Sequence, residues 1–447
     1  MAIENTPIQL EIQAIFLDGP KPVNNVWSCR IITDTGIFKP VKFLSMDIDR
    51  TYDINFTDYI NLELSISKGV FTHHLIPNKD HLIVEVKRTP IKETVDDDEV
   101  VDEIFVRRYK AILKDETDET MASKSKTSQD AEASDLSGPI TVSMQLLDIA
   151  AEQVRFYELG GIYKHVVPGD VIKYCLTDVS SRLDLAVEDS VMGVDMVEPD
   201  NTTPNRQVVI PHGIRPQDLP AFIQHNWGGV YNSDVGCYLQ DGLWYVWPLF
   251  NTQRFDLEVR TMLIYNLPED KYPGVERSYR LNGTQAIVLS TGQSTQKDFS
   301  SHQRMNEGNG VRFTHASRVM DGFGEVIDNT FKVTRSLNNS EFSFPNGDGY
   351  SYAPISPKRI TDNVFAEASR LAKRKGSFLN LVWENSRPEI VYPGMPVKLL
   401  YLKDDKVQEV LGVVYKAQHL IQDNKPGPIG GKQVTNSSLV LFIEKAE

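Results

Sequence analysis

The sequence predicts a mainly β protein with an α+β middle: two small antiparallel β-barrels, one towards each end, and a helical, mixed domain inserted between them. Three observations carry this reading. Ile60, Leu62, Leu64 and Ile66 alternate with Asn61, Glu63 and Ser65, the period of two that marks a half-buried strand. The stretch from Pro396 to Ile443 holds further runs of strand character. The 447 residues exceed what a single core usually spans, and 40% hydrophobic with 24% charged residues is the balance of an ordinary folded protein.

The first domain, residues 1–150, is built from such alternations. Ile8, Leu10, Ile12, Ala14 and Phe16 predict a strand over 8–16, turned by Asp18-Gly19 and Pro20. Leu82, Val84 and Val86, then Ile104 to Leu113, continue the pattern and complete an antiparallel barrel or sandwich. Lys114 to Gly138 has almost no large apolar side chain to offset the entropy of ordering it, so 116–137 reads as a flexible acidic loop. Strand character resumes at Ile140 to Ile149, so that segment is either a long loop inside the first domain or its border. Its deletion is expected to leave folding intact.

The middle domain, 151–360, mixes helices with short strands. After Pro168, Val171, Ile172, Cys175, Leu176, Val179 and Leu183 share one face and predict a helix over 169–183. Leu219, Phe222, Ile223 and Trp227 repeat the spacing, with Asp218 as N-cap and Gly228 as stop. Asp241-Gly242 is a two-residue hairpin turn within an aromatic hairpin over 237–247, which carries Tyr238, Trp244, Tyr245 and Trp247. Residues 282–357, rich in Gly, Ser, Asn and Thr, read as long surface loops. The last domain, 361–447, starts with a helix from Thr361 to Gly376 that places Lys373, Arg374 and Lys375 at its C-terminus, where they suit the dipole. After the turn Pro393-Gly394-Met395-Pro396, Val397–Leu402, Val410–Leu420 and Ser438–Ile443 predict the second barrel, connected at Asp404-Asp405 and at Gly427–Gly431.

A formal charge of −14 argues against wrapping nucleic acid, because phosphate binding is driven by Lys and Arg. The three cysteines, Cys29, Cys175 and Cys237, are far apart and show no metal-ligand spacing, which points to buried thiols in a reducing compartment. The start of the chain lacks the basic and apolar pattern of a secretory signal, and no stretch approaches the roughly 18 apolar residues of a membrane span. Cytoplasmic synthesis without membrane insertion is the expectation.

Catalytic signatures fail one by one. Gly427 to Gln433 resembles a phosphate loop superficially, but Gln433 replaces the hydroxyl that would hold magnesium. His73-His74, with His81 nearby, would point to opposite faces of a strand. The acidic run 95–103 lacks the glycine and ligand spacing of a calcium loop. Asp47, Asp49, Asp53 and Asp58 offer carboxylates of the kind a glycosidase uses, yet Asp47 and Asp49 alternate with Met46 and Ile48 as the wet face of a strand does. The aromatic hairpin is a sugar-stacking platform, or else it fills a core or an intersubunit contact. No catalytic, cofactor-binding or metal-binding residue is predicted.

The run Arg108-Tyr109-Lys110-Ala111-Ile112-Leu113-Lys114-Asp115, the middle segment Gly160-Gly161-Ile162-Tyr163, and the final Tyr392-Pro393-Gly394-Met395-Pro396-Val397 with Gly412-Val413-Val414 together resemble the baseplate hub proteins of contractile-tailed bacteriophages. The resemblance implies two barrels related to the tail-tube fold in one chain, three chains in a ring, and a place in the virion tail baseplate. It implies as partners the tail tube protein, the central spike protein and other baseplate proteins. A hub of this kind joins the sixfold tube to the threefold spike and lets DNA pass without specific binding. An acidic lumen would suit that passage by repelling phosphate. The alternative is a tail-associated glycan-binding or cell-wall-degrading protein.

Overall fold

The computed structural model describes residues 24–91, 105–114, 139–267, 278–290, 376–403, 406–423 and 433–444, with short strands inside 295–357 and single helical positions elsewhere. The first strands are β1 (Asn24–Thr33), β2 (Gly36–Phe38), β3 (Lys42–Thr51), β4 (Tyr59–Ser67), β5 (Ile83–Ile91), β6 (Phe105–Leu113) and β7 (Pro139–Asp148). They pair antiparallel in the order β3-β4-β7-β6-β5-β1-β2. The alternation read in β4 does what the period demands: Ile60, Leu62, Leu64 and Ile66 are buried with Val84, Val86, Met144 and Leu146 in one core. Between β4 and β5 the chain crosses by a helical passage over 68–81 that buries Leu75. Of the strand expected over 8–16, Ile12 and Gln13 are helical, and the rest lies outside the described residues, as do 95–103 and 116–137.

The middle elements are α1 (Ile149–Val154), β8 (Leu159–Val166), α2 (Pro168–Ser181), β9 (Gly193–Met196), β10 (Asn205–Ile214), α3 (Leu219–Asn226), β11 (Val235–Gln240) and β12 (Leu243–Pro248). Asp148 caps α1 by accepting from Ala151 N at 3.0 Å. In α2, Val171, Ile172, Cys175, Leu176 and Val179 are buried, as the helical spacing requires, and Pro168 stands in the first turn. α3 lies where its pattern placed it, but the Asp218 side chain makes no cap bond and Pro220 occupies the first turn instead. The β11–β12 turn has φ of 52° at Asp241 and 74° at Gly242, the two positive values of a type I′ hairpin.

The remaining strands are β13 (Thr261–Asn266), β14 (Tyr279–Asn282), β15 (Gln285–Ser290) and β16 (Thr295–Lys297). Next come the five-stranded sheet of β17 (Gly310–His315), β18 (Glu325–Ile327), β19 (Lys332–Arg335), β20 (Ser340–Pro345) and β21 (Ser356–Pro357), then β22 (Gly376–Trp383), β23 (Pro396–Lys403), β24 (Lys406–Asp423) and β25 (Gln433–Glu444). The stretch expected to be surface loops over 282–357 thus carries strands. Of the helix expected over Thr361–Gly376, Phe365, Ser369 and Ala372 are helical and Lys373 is in a 3₁₀ turn; Gly376 already begins β22.

Among the described residues the ladders run on from one expected barrel region into the other. The 18-residue β24 pairs through Lys406–Val413 with β23 and through Lys416–Gln422 with β3, while β25 runs along its other side. A single 15-stranded sheet results, and no ladder among the described residues closes on itself. Its C-terminal part is also mixed: β13 runs parallel to both β15 and β23. Strand direction is set by the crossovers that connect strands, and alternation within a strand carries no trace of it.

Candidate interface where the two sheet halves join

The seam between β3 and β24 has a wet face and a dry face, as the pleat dictates. On the wet face Lys416 pairs with Asp49 at 3.0 Å and Gln418 Nε2 donates to Asp47 at 3.2 Å. At the far end Lys42 meets Asp423 at 2.8 Å with both side chains nearly buried. Asp47 and Asp49 are therefore strand-face carboxylates tied to the partner strand. On the dry face Met46, Ile48 and Ile421 join the N-terminal core, so the C-terminal end of β24 is built into the other half of the protein.

The dry face also holds a buried polar cluster. Arg50, 4% exposed, sets its Nε 3.1 Å from Asp58 Oδ2, and its Nη1 donates to the carbonyls of Pro388 at 2.8 Å and Val391 at 3.1 Å. Tyr238 donates to the other Asp58 oxygen at 3.0 Å, and Gln240 Nε2 donates to the Val391 carbonyl at 2.9 Å. Strand β3, hairpin β11–β12 and the turn at Pro388–Ile390 are thus fastened by one guanidinium and one carboxylate. Burial is the largest influence on Arg50 and works against its charge, but Asp58, Tyr52, Asp241 and Tyr238 together outweigh it and the guanidinium is raised on balance. Burial pushes the Asp58 carboxyl up while Arg50 and Tyr238 hold it down.

Behind Arg50 stands His419, fully buried, with Nε2 3.5 Å from Arg50 Nη1 and Nδ1 2.5 Å from Ser437 Oγ. Ser437 Oγ is 2.5 Å from Ser386 Oγ, which donates to the Thr435 carbonyl at 3.2 Å. One proton arrangement satisfies the chain: Ser386 gives its proton to the carbonyl, Ser437 gives to Ser386, and His419 Nδ1–H gives to Ser437. The Nε2 lone pair then faces the guanidinium. Burial, reinforced by Arg50, lowers His419 well below the ordinary histidine range, so the ring is neutral. This is not a nucleophilic dyad. The histidine donates to the serine where a general base must accept, and Ser437 is only 2% exposed.

Other sequence candidates fall elsewhere. His73 and His74 lie in the helical passage between β4 and β5, and among the described residues no group of three or more His, Cys, Asp or Glu side chains is placed to hold a metal. Asp53 accepts a hydrogen bond from Tyr415. Gln433 opens β25 and accepts from Trp27 N at 3.1 Å, whereas 424–432 lie outside the described residues. Tyr238, Trp244, Tyr245 and Trp247 are all buried, so the aromatic hairpin presents no stacking platform for a sugar; Tyr238 and Trp247 instead pack edge-on to Tyr52. Burial pushes the Cys29 thiol up to about 12 and raises Cys175 and Cys237 as well, which leaves them unreactive near neutrality. Among the described residues no helix is long and apolar enough to cross a membrane. Arg50, His419, Ser386 and Ser437 carry no local sequence signal.

No protein-family model matches the sequence, and no curated protein matches it. Solved structures similar to this chain include phage tail and secretion-system proteins. The tail protein of Neisseria meningitidis is 10% identical with a TM-score of 0.48, over 93% of this chain and 96% of that one. The 43 kDa tail protein of prophage MuSo2 from Shewanella oneidensis is likewise 10% identical at a TM-score of 0.48, over 92% and 98% of the two chains. An E. coli component of the type VI secretion system, described as structurally similar to T4 bacteriophage tail proteins, is 7% identical at a TM-score of 0.43, over 93% of this chain and 77% of its own.

Proposed function

We propose that this chain is a structural protein of a phage tail baseplate, and within it the hub: a subunit of a homotrimeric ring that joins the tail tube to the central spike and lets DNA pass. The observation that carries the proposal is the seam. A ring subunit that presents two tube-related sheet units to its neighbours must hold them at a fixed angle, and a strand shared by both halves, locked by buried ion pairs, does so. The sequence resemblance at Arg108–Asp115, Tyr392–Val397 and Gly412–Val414 supports the same reading. So does the −14 charge, which suits a lumen through which phosphate slides. The role is one of shape and interface burial and not of catalysis.

The test is the mass and symmetry of the purified full chain, followed by a density map of the particle. A ring of three 50.5 kDa subunits whose two halves alternate around the axis is the expected result. A chain that stays monomeric at high concentration and is missing from the tail axis would overturn the proposal.

A further inference from the structure

The outer face of β1, β5 and β6 carries a groove of about 750 Å³ that plays no part in the seam. Two cross-strand rows floor it, Arg30–Glu85–Arg108 and Ser28–Lys87–Val106. Lys39 stands at its rim, and Glu188 and Asp189 of the middle region line another side. Five cations against three carboxylates make this lining basic, in a chain whose net charge is −14.

The cations divide into two sets. The arginines are committed: Arg30 to Glu85 at 2.7 Å, Arg108 to Asp189 at 2.6 Å and Glu188 at 3.0 Å, and Arg107 to Asp241 at 3.3 Å. Lys39 and Lys87 have no carboxylate partner among the described residues. Beside Lys87, Val106 is 46% exposed, an apolar spot in a charged setting.

We infer that this groove docks an acidic segment of a partner protein, an extended peptide whose carboxylates reach Lys39 and Lys87 and whose apolar side chain covers Val106. Charge complementarity selects the occupant. An unbroken row of phosphates would run against Glu85, Glu188 and Asp189, whereas a peptide can space its few carboxylates to avoid them. The ammonium groups act as point charges that accept a carboxylate from many directions, while the paired arginines keep the floor fixed.

Fluorescence anisotropy on the full-length protein tests this. The probes are a labelled acidic octapeptide with glutamates around a central leucine, its glutamine counterpart, and a short labelled oligothymidine. The acidic peptide should bind, the glutamine peptide should not, and Lys39→Glu/Lys87→Glu should weaken binding about tenfold or more, with a Lys39→Arg/Lys87→Arg control that retains it. Circular dichroism checks that both variants fold. Absence of binding by the acidic peptide up to millimolar concentration, equal binding by the glutamine peptide, tighter binding by the oligonucleotide, or no effect of charge reversal in a folded variant would each overturn the inference.

Discussion

Replacing Arg50 by leucine keeps bulk on the dry face of β3 and removes the cation paired with Asp58. The carbonyls it served are not left bare, since Val391 O still accepts from Gln240 and Pro388 O still accepts from Val391 N. Asp58 also keeps the Tyr238 hydroxyl. The cost therefore comes chiefly from an uncompensated carboxylate, and removing one partner of a buried pair is worth about 3–5 kcal/mol. The Asp58 side chain is 13% exposed and its carboxyl is already pushed up, so it can shed its charge by taking a proton, which places the expected loss near the lower end, about 3 kcal/mol. Urea unfolding at neutral pH, followed by tryptophan fluorescence, measures the loss. The double variant Arg50→Leu/Asp58→Asn should regain most of it, with a coupling of about 2 kcal/mol in the cycle. A single-variant cost below about 1 kcal/mol, or a double variant as unstable as the two losses added, would refute the view that the pair fastens the seam.

Because His419 is neutral when folded and takes a proton at ordinary pKa when unfolded, the unfolded chain binds more protons as pH falls below about 6.5, and stability drops by up to about 1.4 kcal/mol per pH unit; His419→Asn should lack this share when the two stability–pH curves are subtracted. Ile421→Ala should cost about 2–5 kcal/mol and raise hydrogen exchange in β4 and β7, although Ile421 belongs to the C-terminal hairpin; exchange confined to β24 and β25 would contradict the shared core. Gly394 has φ of +66°, and a Cβ there would overlap the Trp247 indole, so Gly394→Ala should destabilise by about 1–3 kcal/mol or more; a melting temperature equal to that of the parent would count against it.

What could be read from sequence was local. The hairpin β11–β12 was legible because Asp241-Gly242 has the chemistry of two positive φ values, and α2 was legible because Val171 to Val179 repeat at helical spacing. At 8–16 alternation does not decide the element, since Ile12 and Gln13 have the alternation of a strand and yet are helical. The seam could not be found this way. It joins Arg50 to residues 338 and 341 positions away, and nothing in the alternation of β3 names β24 as its partner. The complementary charges of Asp49 and Lys416 are a signal, but one shared by many strand pairs. The polar cluster was hidden for the same reason: Arg50, His419 and Ser437 lie on three different strands and meet only after folding.

The shared strand has a mechanical consequence. Seven consecutive rungs, from Lys416 opposite Thr51 to Gln422 opposite Ser45, link the halves along one line. A pull directed along β24 loads all seven in shear, so they must give way together, whereas a pull across the sheet opens them one after another. The molecule is therefore stiffest along the strand axis and weakest to peeling, and the direction of a load, as much as its size, decides whether the two halves stay in register.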